Sequence, residues 1–251
     1  GTAPVGLVNR TALILDPANP RLATTPPTLA TTNGILTRHV ILRENSPDAW
    51  ITDDLTLNGP AAATLRSQLT NLNPPEQPAA FRRLLSLDRL RDELLSVSLT
   101  ALRDPSLPLT LQLTSLTRGA LHPGPNGLQL HLTQPLADYL LYPASLTDQA
   151  ATGTVQLTTP IRLKYELTIS PPNGTQLQAP SFPTPRPSPF GAWSCRANAN
   201  TLNWTADLKP GRWNGPEAID CAQFPPEALL PLRLPWLLTP GPLASNQPEG
   251  P

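Results

Sequence analysis

Between Leu107 and Ile169 an apolar residue, usually leucine, recurs at every second position, mostly with threonine or glutamine between. The run Leu107-Pro-Leu109-Thr110-Leu111-Gln112-Leu113-Thr114 is followed by Leu128-Gln129-Leu130-His131-Leu132-Thr133. Val155-Gln156-Leu157-Thr158 and Ile161-Arg162-Leu163-Lys164-Tyr165-Glu166-Leu167-Thr168-Ile169 complete the ladder. Successive side chains of a strand point to opposite faces, so a period of two builds a sheet with one apolar face and one polar face. The polar face is almost uncharged until the last strand, where Arg162, Lys164 and Glu166 stand. Soluble sheets are usually guarded by lysine and glutamate. Thr110, Gln112, Thr114, Gln129, Gln156 and Thr158 do not repel a neighbour, and they form the candidate partner face.

Other parts of the chain frame this ladder. Ala12–Leu15, Gly34–Leu42 and Trp50–Leu57 read as short strands that end at turn clusters, Asp16-Pro17, Asn45-Ser46-Pro47 and Asn58-Gly59. From residue 60 the period changes. Pro60 suits a first helical turn capped by Asn58 or Gly59, and Leu65, Leu69 and Leu72 share a side. After Asn73-Pro74-Pro75 a second helix is expected from Pro78 to about Val97, with Phe81, Leu84, Leu85, Leu87, Leu90, Leu94 and Leu95 on its broad apolar stripe. Together these make a helical hairpin at about 60–97. Pro123-Gly124-Pro125-Asn126-Gly127 separates two strand-like runs and signals a β-hairpin. Val155–Thr158 and Ile161–Ser170 are expected to pair across Thr159-Pro160.

The expected fold is therefore mainly β, of the α+β class: an antiparallel sheet covered on one face by the helical hairpin, over residues 1–170. Residues 171–190 hold seven prolines and read as an extended linker. Residues 191–251 read as a small module closed by Cys195 and Cys221, with a proline-rich tail.

The two cysteines stand 26 positions apart. A disulfide between them would enclose Trp204 and Trp213 in a loop worth about 3 kcal/mol, and a segment this short needs such a staple. The alternative is two free thiols. Trp193, Trp204, Trp213 and Trp236 form either an aromatic platform for sugar or proline stacking or the buried core of that module. His122 and His131 flank the Pro-Gly-Pro-Asn-Gly turn, but two histidines lack a third ligand short of Asp138, so no metal site is assigned. Asp53 and Asp54 are adjacent on a strand and point to opposite faces, so they do not act jointly and read as a solvated turn.

Composition narrows the function. Charged residues make up 14% of the chain, against about 25% in ordinary globular proteins. Basic and acidic side chains cancel at 18 each, and no basic stripe is visible. A nucleic-acid partner, which needs a positive footprint, does not fit. No Gly-x-Ser-x-Gly, His-Glu-x-x-His or phosphate-cradling glycine loop occurs, and no cofactor is implied. Proline numbers 34 of 251, and the only lysines among the basic residues are Lys164 and Lys209. That bias towards arginine, alanine and proline reads as GC-rich bacterial coding. Methionine is absent, and Gly1-Thr2-Ala3-Pro4 looks like a processed or truncated start, with a tag scar as the bland alternative. The segment removed at such a start would be a signal or a membrane anchor; the chain as given has no apolar run of spanning length.

These features describe a non-enzymatic, extracytoplasmic bacterial envelope protein, in the periplasm or at the cell surface. It would bind other envelope proteins or envelope polymer in a surface or secretion assembly. The alternative is a carrier for a lipid or other apolar ligand in a groove between sheet and helices. A third reading is a hydrolase with scattered catalytic residues.

Overall fold

Strict alternation becomes strict alternation of burial. In the computed structural model, which describes residues 11–14, 19–24, 31–73, 76, 79, 92–132 and 153–241, residues Thr32–Leu42 form one strand. Its even-numbered positions are buried and its odd-numbered positions are exposed. The described elements, in chain order, are β1 (Thr11–Ile14), β2 (Arg21–Thr24), β3 (Thr32–Leu42), β4 (Ala49–Asn58), α1 (Pro60–Thr70), β5 (Asp92–Thr100) and β6 (Leu109–Thr117). They continue as β7 (Leu121–Gly124), β8 (Gly127–Leu130), β9 (Thr154–Leu157), β10 (Ile161–Ser170), β11 (Thr175–Gln178), β12 (Gly191–Ala197) and β13 (Thr201–Leu208). The last are β14 (Gly211–Asn214), α2 (Pro216–Arg233) and β15 (Trp236–Pro240). The fold is mainly β, with mixed sheets and few helices.

A seven-stranded sheet of order β12-β13-β10-β3-β4-β6-β5 is the frame of the molecule. Its neighbours are antiparallel except β3 and β10, which run parallel from Thr32↔Ile161 to Ile41↔Ser170. A four-stranded sheet, β11-β15-β8-β7, and two strand pairs, β1-β2 and β9-β14, complete the described β structure. The inner face of the large sheet carries Leu36, Val40, Ile51, Leu55, Leu57, Leu109, Leu111, Leu113, Leu163, Leu167 and Trp204, all buried in one hydrophobic cluster. At roughly 1.5–3 kcal/mol for each fully buried large aliphatic side chain, this face is the main source of stability.

α1 packs on β3 and β4 through Ala62, Leu65 and Leu69, spaced three and four apart as one helical side requires. Gly59 stands at its N-cap with φ of 75°, and a Cβ there would run into the Thr31 carbonyl oxygen. This is why the strand-to-helix corner is written Asn-Gly-Pro. On its polar side Arg66 holds the following loop, donating from Nε to the Ala101 carbonyl at 3.1 Å and from a terminal nitrogen to Leu107 at 2.5 Å.

Four expectations change. The second half of the helical hairpin falls largely outside the described residues, and its end, Asp92–Val97, is strand β5 instead of helix. Here the polar residues Ser96 and Ser98 alternate with Val97 and Leu99, and the strand pairs with β6. Secondly, the ladder of leucine and threonine is not one sheet. β6 and β10 lie in the large sheet, β8 in the four-stranded sheet, and β9 pairs with β14 and not with β10.

Thirdly, the C-terminal segment is no separate module on a linker. β13 pairs with β10 from Leu208↔Ile161 to Thr201↔Thr168, and β11 within the proline-rich stretch pairs with β15. Fourthly, residues 216–233 are an eighteen-residue helix, and 236–240 a strand, where the end of the cysteine-closed module and a proline-rich tail were expected. Ala218, Cys221, Phe224, Ala228 and Leu232 recur at helical spacing on the buried side of α2. That stripe outweighs the prolines within the helix, each of which would cost roughly 3 kcal/mol in an isolated helix interior. Among the described residues no helix is long and apolar enough to cross a membrane.

Candidate interaction face

The outer face of the large sheet is built by the register. One row crosses all seven strands as Ser194, Thr205, Lys164, Ile35, Thr56, Thr110 and Thr100. The next row is Arg196, Asn203, Glu166, Thr37, Asp54, Gln112 and Ser98. The third is Thr201, Thr168, His39, Thr52, Thr114 and Ser96. All these side chains are exposed or half-exposed.

Charge divides this face. On β10, β12 and β13 lie Arg162, Lys164, Glu166, Arg196 and Asp207. Arg162 meets Asp207 at 3.1 Å, and Lys164 meets Glu166 at 2.8 Å. Such exposed pairs contribute about 0–1 kcal/mol each. On β4, β6 and β5 the three rows hold only hydroxyls and amides apart from Asp54, whose Oδ1 accepts from Gln112 Nε2 at 2.8 Å. Thr100 and Thr110 share a hydroxyl–hydroxyl hydrogen bond. Thr110, Gln112 and Thr114 of the expected partner face stand together on this half. Gln129 lies on β8 and Gln156 on β9, with Thr158 just after it, so the six residues do not form one surface.

Beyond the third row a fourth runs Ser170, Ile41, Trp50, Leu116 and Glu93. The Arg43 guanidinium carbon lies 4.6 Å from the centroid of the half-exposed Trp50 ring, a cation–π contact. Trp50 is therefore the tryptophan that the outer face displays. Of the two readings of Trp193, Trp204, Trp213 and Trp236, platform or core, burial selects the core: all four are buried, and Phe190 stacks edge-on against Trp213 and Phe224. They form core, because β12, β13, β14 and β15 each turn them inward. Position parity on β4 placed Trp50 opposite Ile51 and Leu55, and that parity was the signal that could have found it.

Cys195 and Cys221 are free thiols, contrary to the expected disulfide. Cys195 faces inward from β12 opposite Trp204, and Cys221 lies buried in α2. The segment draws its core from the large sheet and needs no staple. Burial pushes both thiols up to about 12, with Asp220 and Glu217 adding to the effect at Cys221. An unfolded thiol ionises near ~8.5. A folded-state value above the unfolded one means that the stability held by the neutral thiols is complete below about pH 8.5 and drains away as pH climbs towards about 12. We expect Ellman's reagent at pH 8 to find the two thiols slowly in the native protein and fast in denaturant. Recovery of no thiol in non-reducing denaturant would reinstate the disulfide.

Asp53 and Asp54 do point to opposite faces, but Asp53 is no turn residue. It is buried opposite Arg38, whose Nε and terminal nitrogen donate to its two carboxylate oxygens at 2.6 and 2.7 Å. Burial would lower the pKa of Arg38, but the charge and hydrogen bonds of Asp53, with smaller help from Tyr165 and Asp92, carry it above the ordinary guanidinium value. Near the same inner surface the Thr117 hydroxyl donates to the buried Asp92 carboxylate at 2.6 Å. The rings of His122 and His131 meet edge-to-face with centroids 5.5 Å apart. Among the described residues no three His, Cys, Asp or Glu side chains converge as a metal site, and Asp138 lies outside them.

A shallow polar cleft of about 110 Å³ lies between the 186–189 segment and α2, lined by Arg186, Ser188, Asp220, Gln223, Phe224 and Glu227. It is far below the roughly 300–1,000 Å³ of small-molecule sites, and Arg186 is bound across it to Glu227.

No protein family, no curated protein and no solved structure matches the chain. What the surface can recognise must be argued from its own chemistry.

Proposed function

We propose that the protein is a non-enzymatic binding component of an extracytoplasmic bacterial assembly. Its partner, another envelope protein or envelope polymer, is engaged through the uncharged half of the outer face, formed by β4, β6 and β5. The observation that carries this reading is the division of the face. The three polar rows on these strands offer hydroxyl and amide groups with Asp54 as their one charge, while charges sit on β10, β12 and β13. Hydroxyls and amides dock at a small desolvation cost compared with charges, and they pair equally with backbone or with sugar hydroxyls. The leucines beneath favour this reading over an apolar carrier. Leu55, Leu57, Leu109 and Leu111 are 1–2% exposed and pack in one cluster with Leu65 of α1.

The test is retention of the full chain on purified peptidoglycan sacculi and on solubilised envelope proteins. Thr52→Lys with Thr114→Lys places two ammonium groups inside the proposed contact. Asn203→Lys adds one to the charged half as a control. The double variant is expected to lose about tenfold or more in affinity, because an unpaired buried ammonium costs more than the ~1.4 kcal/mol that a decade represents. The control should bind as the wild type does. Equal losses in both, or no retention of the wild type on either material, would sink the proposal.

A further inference from the structure

β5 ends the large sheet, and among the described residues it is hydrogen-bonded on one side, to β6. The backbone groups of a free edge are a template for another strand. The other ends of the two larger sheets are blunted. β7 carries Pro123 within the strand, and β11 is four residues long between Pro172 and Pro180. β12 carries Arg196 and has α2 packed on it. In a chain so rich in proline, Leu94–Thr100 of β5 holds neither proline nor charge. Its core-side residues Leu94, Val97 and Leu99 stay half-exposed, whereas Leu111 and Leu113 beside them on β6 are 1% and 3% exposed. Among the described residues the core is unfinished at this edge.

We infer that the edge of β5 pairs with β5 of a second copy of this chain, antiparallel, about a two-fold axis at Ser98. Residues directly opposite in an antiparallel pair point to the same face. In this register Ser98 meets Ser98, Ser96 meets the other copy's Thr100, and Val97 meets its Leu99. Hydroxyls thus face hydroxyls on the outer side, and aliphatics face aliphatics on the core side. The pairing begins beyond the irregularity at Leu95, in the regular part of the strand. A second copy fits better than a foreign strand because the sequence is its own complement, which a two-fold interface requires. The joined sheets would set both uncharged halves side by side. The inference is independent of the binding face: a monomer can use that face, and the dimer needs no ligand.

Sedimentation equilibrium of the full chain at micromolar concentrations tests it. The mass is expected to rise from 27.0 kDa to twice that value with concentration. Ser98→Lys opposes two ammonium groups on the axis and Ser98→Glu two carboxylates. Each is expected to weaken the dimer about tenfold or more. Mixing the two variants should restore it, since the mixed dimer pairs opposite charges. Ser98 is exposed, so both variants should keep the wild-type circular dichroism and unfolding midpoint. As a measurement that adds no charge, Ser98→Cys should cross-link between copies on mild oxidation, because opposed strand residues lie within disulfide reach. A monomer at every concentration, a dimer indifferent to charge at position 98, or a mixture that stays monomeric overturns the assignment.

Discussion

Asp53→Asn is expected to lower the unfolding free energy by about 3–5 kcal/mol, the range for removing one partner of a buried ion pair. The Arg38 side chain is 2% exposed, and its charge is met by two short bonds to one carboxylate. An asparagine fills the same volume but takes away the carboxylate charge nearest the buried guanidinium, between Leu36 and Val40 on a strand held on both sides. The effect is electrostatic, so Arg38→Met together with Asp53→Leu should recover most of the loss, as apolar replacements of buried pairs commonly do. Urea unfolding followed by circular dichroism measures all three proteins. A loss below about 1 kcal/mol for Asp53→Asn would mean that water reaches the pair, since that is the scale of exposed bridges.

Trp204→Ala should cost a similar amount, about 3–5 kcal/mol, through a cavity where sheet and helix meet. Trp204 is 1% exposed on β13, and its indole nitrogen donates to the Ala228 carbonyl of α2 at 2.7 Å. Trp204→Phe keeps most of the volume and removes the donor, so its cost should be nearer the ~1 kcal/mol of a single hydrogen bond. Limited proteolysis adds a local readout. If Trp204 fastens α2, the alanine variant should be cut within 216–233 at denaturant concentrations where the rest of the chain resists. A uniform loss of resistance would place the residue in the general core with no special tie to the helix.

Much of the local structure was legible in the residues. The strand runs, Pro60 as a helix start and the hairpin at Pro123–Gly127 all follow from period and turn chemistry. The inward turn of Arg38 and Asp53 was written in the residues, yet Asp53 was read as a solvated turn. The parity that sends Leu36 and Val40 inward also sends Arg38, and Ile51-Thr52-Asp53-Asp54-Leu55 does the same for Asp53. Their charge argued for solvent, and only the partner across the strand pair reverses that argument. The stripe of α2 was hidden by prolines in the same way.

Neighbour choice was not legible at all. A period of two says which face a side chain takes, never which strand lies beside it. This is why one ladder of leucines was read as one sheet, and why Trp193–Trp213 looked like a module in need of a disulfide. The outer face suffered the same loss. Thr110, Gln112 and Thr114 were found together, but Thr52, Thr56, Ser96 and Ser98, which complete their rows, came from strands whose adjacency no spacing reveals.

The parallel seam between β3 and β10 also dictates an order of events as the chain is made. β3 can close on β4 as soon as both exist, but Thr32 must wait for Ile161 before its other flank is covered. Until then the nascent chain carries an open centre, with Ile35 and Ile41 beside unpaired backbone. Non-local pairing of this kind makes folding slow and leaves intermediates prone to stick to one another. The last strands of the large sheet to emerge, β12 and β13, then build outward from β10. Truncation before Ile161 therefore removes three consecutive strands, β10, β13 and β12, and leaves β3 as a bare edge, and such fragments should be recovered as aggregates.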